Sequence, residues 1–96
     1  MSAYVIVETD VHDPERYEHY KQATPAAIAA FDGRFLARGG EIAVLEGDWH
    51  PERLVVVEFD DVATARRFYD SPIYREAKSL REGAANLNMV AVQGVS

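Results

Sequence analysis

Two stretches of this chain, Tyr4-Val5-Ile6-Val7 and Leu54-Val55-Val56-Val57, run apolar without the polar alternation of a sheet that keeps one face in water. Such strands need a covering layer on both faces. The helical spacing supplies only two regions, and in an antiparallel α+β domain both pack on one face. The pattern therefore predicts a second copy of the chain over the other face.

Residues 3–9 read as the first strand. Asp13 followed by Pro14 suits a helix start, with a capping side chain and a first-turn residue that needs no N–H. Tyr17, Tyr20, Thr24, Ala27, Ile28 and Phe31 then recur at helical spacing as one buried stripe. Thr24-Pro25 repeats the cap-plus-proline device inside this segment and predicts a kink or two abutting helices. Asp32-Gly33 ends it.

Residues 34–46 alternate imperfectly across Gly39-Gly40, which fits either a tight hairpin or one long strand with a glycine bulge. The bulge is preferred because it leaves each face coherent, with Phe35 and Ala37 beside Ile42 and Val44. Residues 47–51 are then a reversing loop and 53–59 the next strand. Asp60 or Asp61 caps a helix bearing Ala65, Phe68 and Tyr69. Ser71-Pro72 restarts it, and Tyr74, Ala77, Leu80, Arg81 and Ala84 continue it. Residues 86–93 form the last strand. The order β-α-β-β-α-β predicts a single ferredoxin-like domain over residues 1–96, an antiparallel sheet with its helices on one face.

Composition narrows the functional classes. A net charge of −6, with ten Lys and Arg scattered along the chain, disfavours nucleic acid as a partner. The absence of cysteine excludes disulfides, thiolate metal sites and cysteine nucleophiles, and fits a reducing compartment. No run approaches the roughly 20 apolar residues of a membrane span, and Met1-Ser2-Ala3-Tyr4 enters a strand without a leader pattern, so a cytoplasmic protein is expected. His12, His19 and His50 lack the spacing that sets two imidazoles on one metal, and no cofactor is expected.

Candidate chemistry is sparse. Trp49-His50, with Asn86 and Asn88 as polar orienters, has the residue types of a small oxygenase site, although a loop tryptophan more often packs on a neighbour or a dimer partner. Tyr4, Tyr17, Tyr20, Tyr69 and Tyr74 suit a pocket for a small aromatic or oxygenated ligand, yet Tyr17 and Tyr20 fall on the core stripe. Glu46 and Arg53, flanking the reversing loop, would oppose one another as a cross-strand ion pair. With that register and the glycine bulge, Arg38 and Glu58 become diagonal neighbours on an otherwise apolar face. They then form either a buried pair that fixes register, or an anion anchor and a proton-transfer carboxylate with Tyr69, Tyr74 and Arg81 as lining.

The run Phe35-Leu36-Ala37-Arg38-Gly39-Gly40, with Leu45-Glu46-Gly47, Arg53-Leu54-Val55-Val56-Val57-Glu58-Phe59, Tyr69-Asp70-Ser71-Pro72-Ile73-Tyr74 and Arg81, resembles the domain-of-unknown-function family numbered 1330. The resemblance spans nearly the whole chain and implies a dimeric α+β barrel, the assembly shared with small cofactor-free monooxygenases, haem-degrading oxygenases and muconolactone isomerases. It brings no activity with it. Three readings follow: a homodimer binding or transforming a small organic molecule at the sheet, a cofactor-independent monooxygenase or isomerase, and a non-catalytic sensor or assembly module.

Overall fold

Strand β1 (Ala3–Val11) is central to the sheet, and its residues alternate between buried Ala3, Val5, Val7 and Thr9 and the less covered Tyr4, Ile6 and Glu8. The structure is a computed structural model that describes residues 2–95. Beyond β1 lie α1 (Pro14–Ala29), β2 (Arg34–Arg38), β3 (Leu54–Phe59), α2 (Val62–Asp70), α3 (Pro72–Ser79) and β4 (Ala85–Gln93). The strands form one four-stranded sheet in the order β2-β3-β1-β4, and all its pairings are antiparallel. This is the ferredoxin-like α+β arrangement that the element order predicts.

The helix starts follow the local chemistry. Asp13 accepts a hydrogen bond from the Arg16 N–H with Pro14 in the first turn, and Asp61, rather than Asp60, accepts from Thr64 N–H at 2.7 Å. Ser71 serves both sides of its break: its hydroxyl donates to the Phe68 carbonyl at 2.6 Å and accepts from Tyr74 N–H at 3.2 Å. The break there is sharp, whereas Pro25 lies inside one continuous α1 rather than between two helices. Helix α3 is also shorter than its apolar spacing suggests. It ends at Ser79, and residues through Ala84 follow as turns.

The core lies between the helices and one sheet face. Tyr17, Tyr20, Ala27 and Ile28 of α1 and Phe68, Tyr74 and Ala77 of α2 and α3 cover Val5, Val7, Val55, Val57 and Phe59. Gly33 makes the turn after α1 possible, because a Cβ there would sit 2.6 Å from the Phe59 ring and 2.8 Å from Ile28. The opposite face carries Tyr4, Ile6, Leu54, Val56, Val90 and Val92 with no helical layer over it among the described residues, and Val90 is 61 % exposed.

The region after α1 departs from expectation. Strand β2 stops at Arg38, and residues 39–53 form a loop instead of continuing as a strand to residue 46. Neither a bulge nor a hairpin turn forms at Gly39-Gly40. Pairing runs Phe35 with Val57 and then Ala37 with Val56, so the extra residue is Leu36. Ile42 to Leu45 keep a strand-like pattern, but β3 pairs β2 only as far as Val55 and offers them no neighbour. Gly39, at φ 72°, turns the chain out of the sheet. Glu46 consequently lies exposed in the loop and does not pair with Arg53.

Candidate functional site

Between α1 and the sheet lies a narrow apolar cleft with about 40 Å³ of free volume. Val5, Val7, Val55, Val57 and Phe59 form its floor, Tyr17, Tyr20 and Tyr74 line its inner walls, and Lys21, Thr24, Arg38 and Arg53 stand at its rim. The rim continues into an outer hollow of about 440 Å³, to which Glu18, Gln22 and Pro25 add their side chains.

The bulge decides which side Arg38 takes. Without an extra residue, Arg38 would share parity with Leu36 and face away from the helices. With Leu36 unpaired, Arg38 opposes the buried Val55 and turns to the helix face. There it stacks 4.4 Å from the centre of the Phe35 ring, and its Nη2 donates to the Lys21 carbonyl at 2.6 Å. That carbonyl is available because Pro25, four residues on, has no N–H to return to it. Proline in α1 thus does not break the helix; it leaves an acceptor, which Arg38 and the Thr24 hydroxyl share.

Arg53 precedes β3 with the parity of Val55 and Val57, and its guanidinium lies 5.9 Å from the Tyr17 ring centre. Gly39 leaves room for it, since a Cβ at that position would collide with the guanidinium, lying 3.0 Å from Cζ. At the inner end, the Tyr20 and Tyr74 hydroxyls are 2.8 Å apart. Burial, and next the neighbouring Tyr74, push the Tyr20 hydroxyl well above the usual tyrosine range, so it stays protonated. Arg81 lies behind this pair, 5.3 Å from the Tyr20 ring centre. The tyrosine hydroxyls more than offset what burial does to its charge. The buried Nε atoms of Arg53 and Arg81 have no hydrogen-bond partner among the described residues.

The pairing of Arg38 with Glu58 on one face is overturned. Glu58 lies on the uncovered face opposite Arg34, whose Nε donates to it at 2.6 Å, and hydrogen bonding from Ser2 and Arg34 holds the carboxyl below its usual range. Of the five residues singled out from the sequence, Arg38 and Tyr74 line the cleft and Arg81 backs it. Tyr69 lies on the outer side of α2, accepting from Lys78 Nζ at 2.6 Å, in a separate hollow with Arg81. Sequence reasoning assigned Arg53 to a surface ion pair and left Lys21 and Thr24 without a site role. Counting back two residues from Val55 gives Arg53 its face, and Pro25 marks the free carbonyl beside Thr24.

Trp49 and Asn88 do meet, but through a carboxylate: both donate to Glu8, at 2.8 and 3.2 Å. Asn86 contacts His12 instead, at 2.9 Å. His50 is exposed beside Glu8, Asp10 and Glu52. No group of three or more His, Asp or Glu among the described residues is placed to hold a metal ion.

The family described as domain of unknown function DUF1330 matches residues 2–95. This chain belongs to that family. Among solved structures, it is similar to a protein of unknown function from Rhodopseudomonas palustris, with 19 % identity and a TM-score of 0.74 over 99 % of this chain and 83 % of that one. It is also similar to a dimeric ferredoxin-like protein of unknown function from Thermobifida fusca, at 20 % identity and TM-score 0.66 over 98 % and 92 % of the two chains. A third is SnoaB, a cofactor-independent oxygenase from Streptomyces nogalater, at 15 % identity and TM-score 0.65 over 99 % and 94 %. No curated protein matches the chain. No helix among the described residues is long and apolar enough to cross a membrane.

Proposed function

We propose that this DUF1330 member is a homodimer, joined through the uncovered sheet faces, in which each subunit binds a small organic molecule in the cleft between α1 and the sheet. The observation that carries the reading is the cleft itself: an apolar floor, three tyrosine walls and a polar rim, the usual make-up of a small-molecule site. The dimeric neighbours with the same fold support the assembly.

A cofactor-independent oxygenase is the second reading, favoured by the shared fold with SnoaB. Such chemistry calls for a group that takes a proton from the substrate. Among the described residues the cleft lining includes no carboxylate and no imidazole, the side chains that most often take up that proton. Its lining thus supports binding over proton abstraction.

Titration of isotope-labelled protein with short linear and monocyclic alcohols, followed by amide chemical shifts, tests the reading. Saturable shifts at Val5, Tyr20, Val55 and Tyr74 are expected. Shifts confined to the uncovered face, or none, would remove the cleft as the site.

A further inference from the structure

We infer that the ligand of this cleft is an organic oxyanion, a carboxylate or phosphate monoester with a slim apolar end, whose charged head lies between Arg38 and Arg53. The inference rests on the cleft being the binding site and adds the ligand's chemical class.

Charge accounting at the rim comes first. The outer hollow holds Glu18, Lys21, Arg38 and Arg53. Glu18 and Lys21 pair with each other at 3.4 Å, which leaves the two guanidinium groups uncompensated. Neither has an ion-pair partner among the described residues, although the chain carries sixteen acidic side chains against ten Lys and Arg. Two like charges at one rim repel, and an anion between them relieves that repulsion.

The second observation is how firmly both groups are held. Arg38 is fixed by the Lys21 carbonyl and the Phe35 ring, and these contacts use Nη2 alone among its nitrogens. Arg53 rests on Tyr17 in the space that Gly39 leaves, with its Nε buried and unpartnered. Donors held this way lose little freedom when they bind, and guanidinium groups match the paired oxygens of a carboxylate or phosphate. Among the described residues no acidic side chain lines the cleft itself, and the Glu18 carboxylate in the outer hollow is paired with Lys21.

Size supplies the third constraint. A free volume of about 40 Å³ is room for roughly three water-sized groups, so only a slim chain end enters. The outer hollow, about 440 Å³, takes the head and whatever the molecule carries beyond it.

The experiment compares hexanoate, hexyl phosphate, 1-hexanol and hexylamine against the dimer by amide-shift titration at low salt. Hexanoate or hexyl phosphate should bind about tenfold more tightly than 1-hexanol, with hexylamine weakest. The tighter of the two anions identifies the head group. Arg38→Gln and Arg53→Gln should each remove most of that preference, bringing the affinity for the tighter anion down towards that for 1-hexanol. If Arg53→Gln fails to fold, added sodium chloride decides: it should weaken hexanoate and leave 1-hexanol alone. Affinities for hexanoate and hexyl phosphate that both fail to exceed that for 1-hexanol would overturn the oxyanion and leave the cleft standing. Cleft amides unmoved by all four probes would overturn both.

Discussion

Tyr20 shows how one buried hydroxyl links the cleft to stability. Its ring is packed among Tyr17 and Tyr74, and its hydroxyl has the Tyr74 hydroxyl as partner at 2.8 Å. In the unfolded chain the group ionises near its ordinary value of 10.0, whereas burial and then Tyr74 raise it in the folded protein. The folded state therefore holds the proton more tightly. That contribution is complete below pH 10 and is lost as the pH climbs above it, because the unfolded chain alone gives up its proton. Tyr20→Phe removes the hydrogen bond, at a cost of about 0.5–1.5 kcal/mol at neutral pH, and removes the ionisation as well. Denaturant unfolding at pH 8 and pH 11 should show the gap between the wild-type protein and the variant shrinking at the higher pH. An unchanged gap would mean that Tyr20 does not hold its proton against alkali.

At the scale of the element, α1 couples helix stability to the rim of the cleft through Pro25. Pro25→Ala returns an N–H to the Lys21 carbonyl, the acceptor that Arg38 uses at 2.6 Å. The helix should gain up to about 3 kcal/mol in denaturant titration while Arg38 loses its tether. A simultaneous fall in hexanoate affinity is expected, and a stabilised variant with unchanged affinity would show that the carbonyl does not position Arg38. The helix starts were legible in the sequence because Asp13-Pro14 and Ser71-Pro72 act within one turn of the chain. The end of β2 was not. Its apolar alternation continues to Leu45, but a strand also needs a neighbour, and where β3 stops pairing is a property of the sheet rather than of residues 41–45. The bulge had no local marker either: Leu36 is neither glycine nor turn-former, while Gly39-Gly40 looked like one. A single misplaced residue inverts the parity of everything after it, which is why Arg38 was assigned to the face of Glu58.

For the whole molecule, the uncovered sheet face is the feature that a lone subunit does not explain. Its centre is Ile6, Leu54, Val56, Val90 and Val92, and its margins carry the Arg34–Glu58 pair and the Glu8, Asn86 and Asn88 side chains. An apolar centre inside a polar rim is the anatomy of an interface, and a stable one buries about 1,200–2,000 Å² in total. Val56 lies at the middle of that face, paired with Ile6 on one side and Ala37 on the other, and it does not line the cleft. In a twofold dimer each substitution appears twice, so Val56→Lys would bring two unpaired ammonium groups into one dry contact. The loss should exceed about 3 kcal/mol, a weakening of association by a hundredfold or more. Sedimentation velocity at micromolar concentration should show a dimer for the wild-type protein and a monomer for Val56→Lys. Amide shifts of Tyr20 and Tyr74 should stay close to their wild-type values, since the cleft is built on the other face. A wild-type protein that sediments as a stable monomer would refute the assembly, and a Val56→Lys variant that remains dimeric would place the contact elsewhere on the subunit.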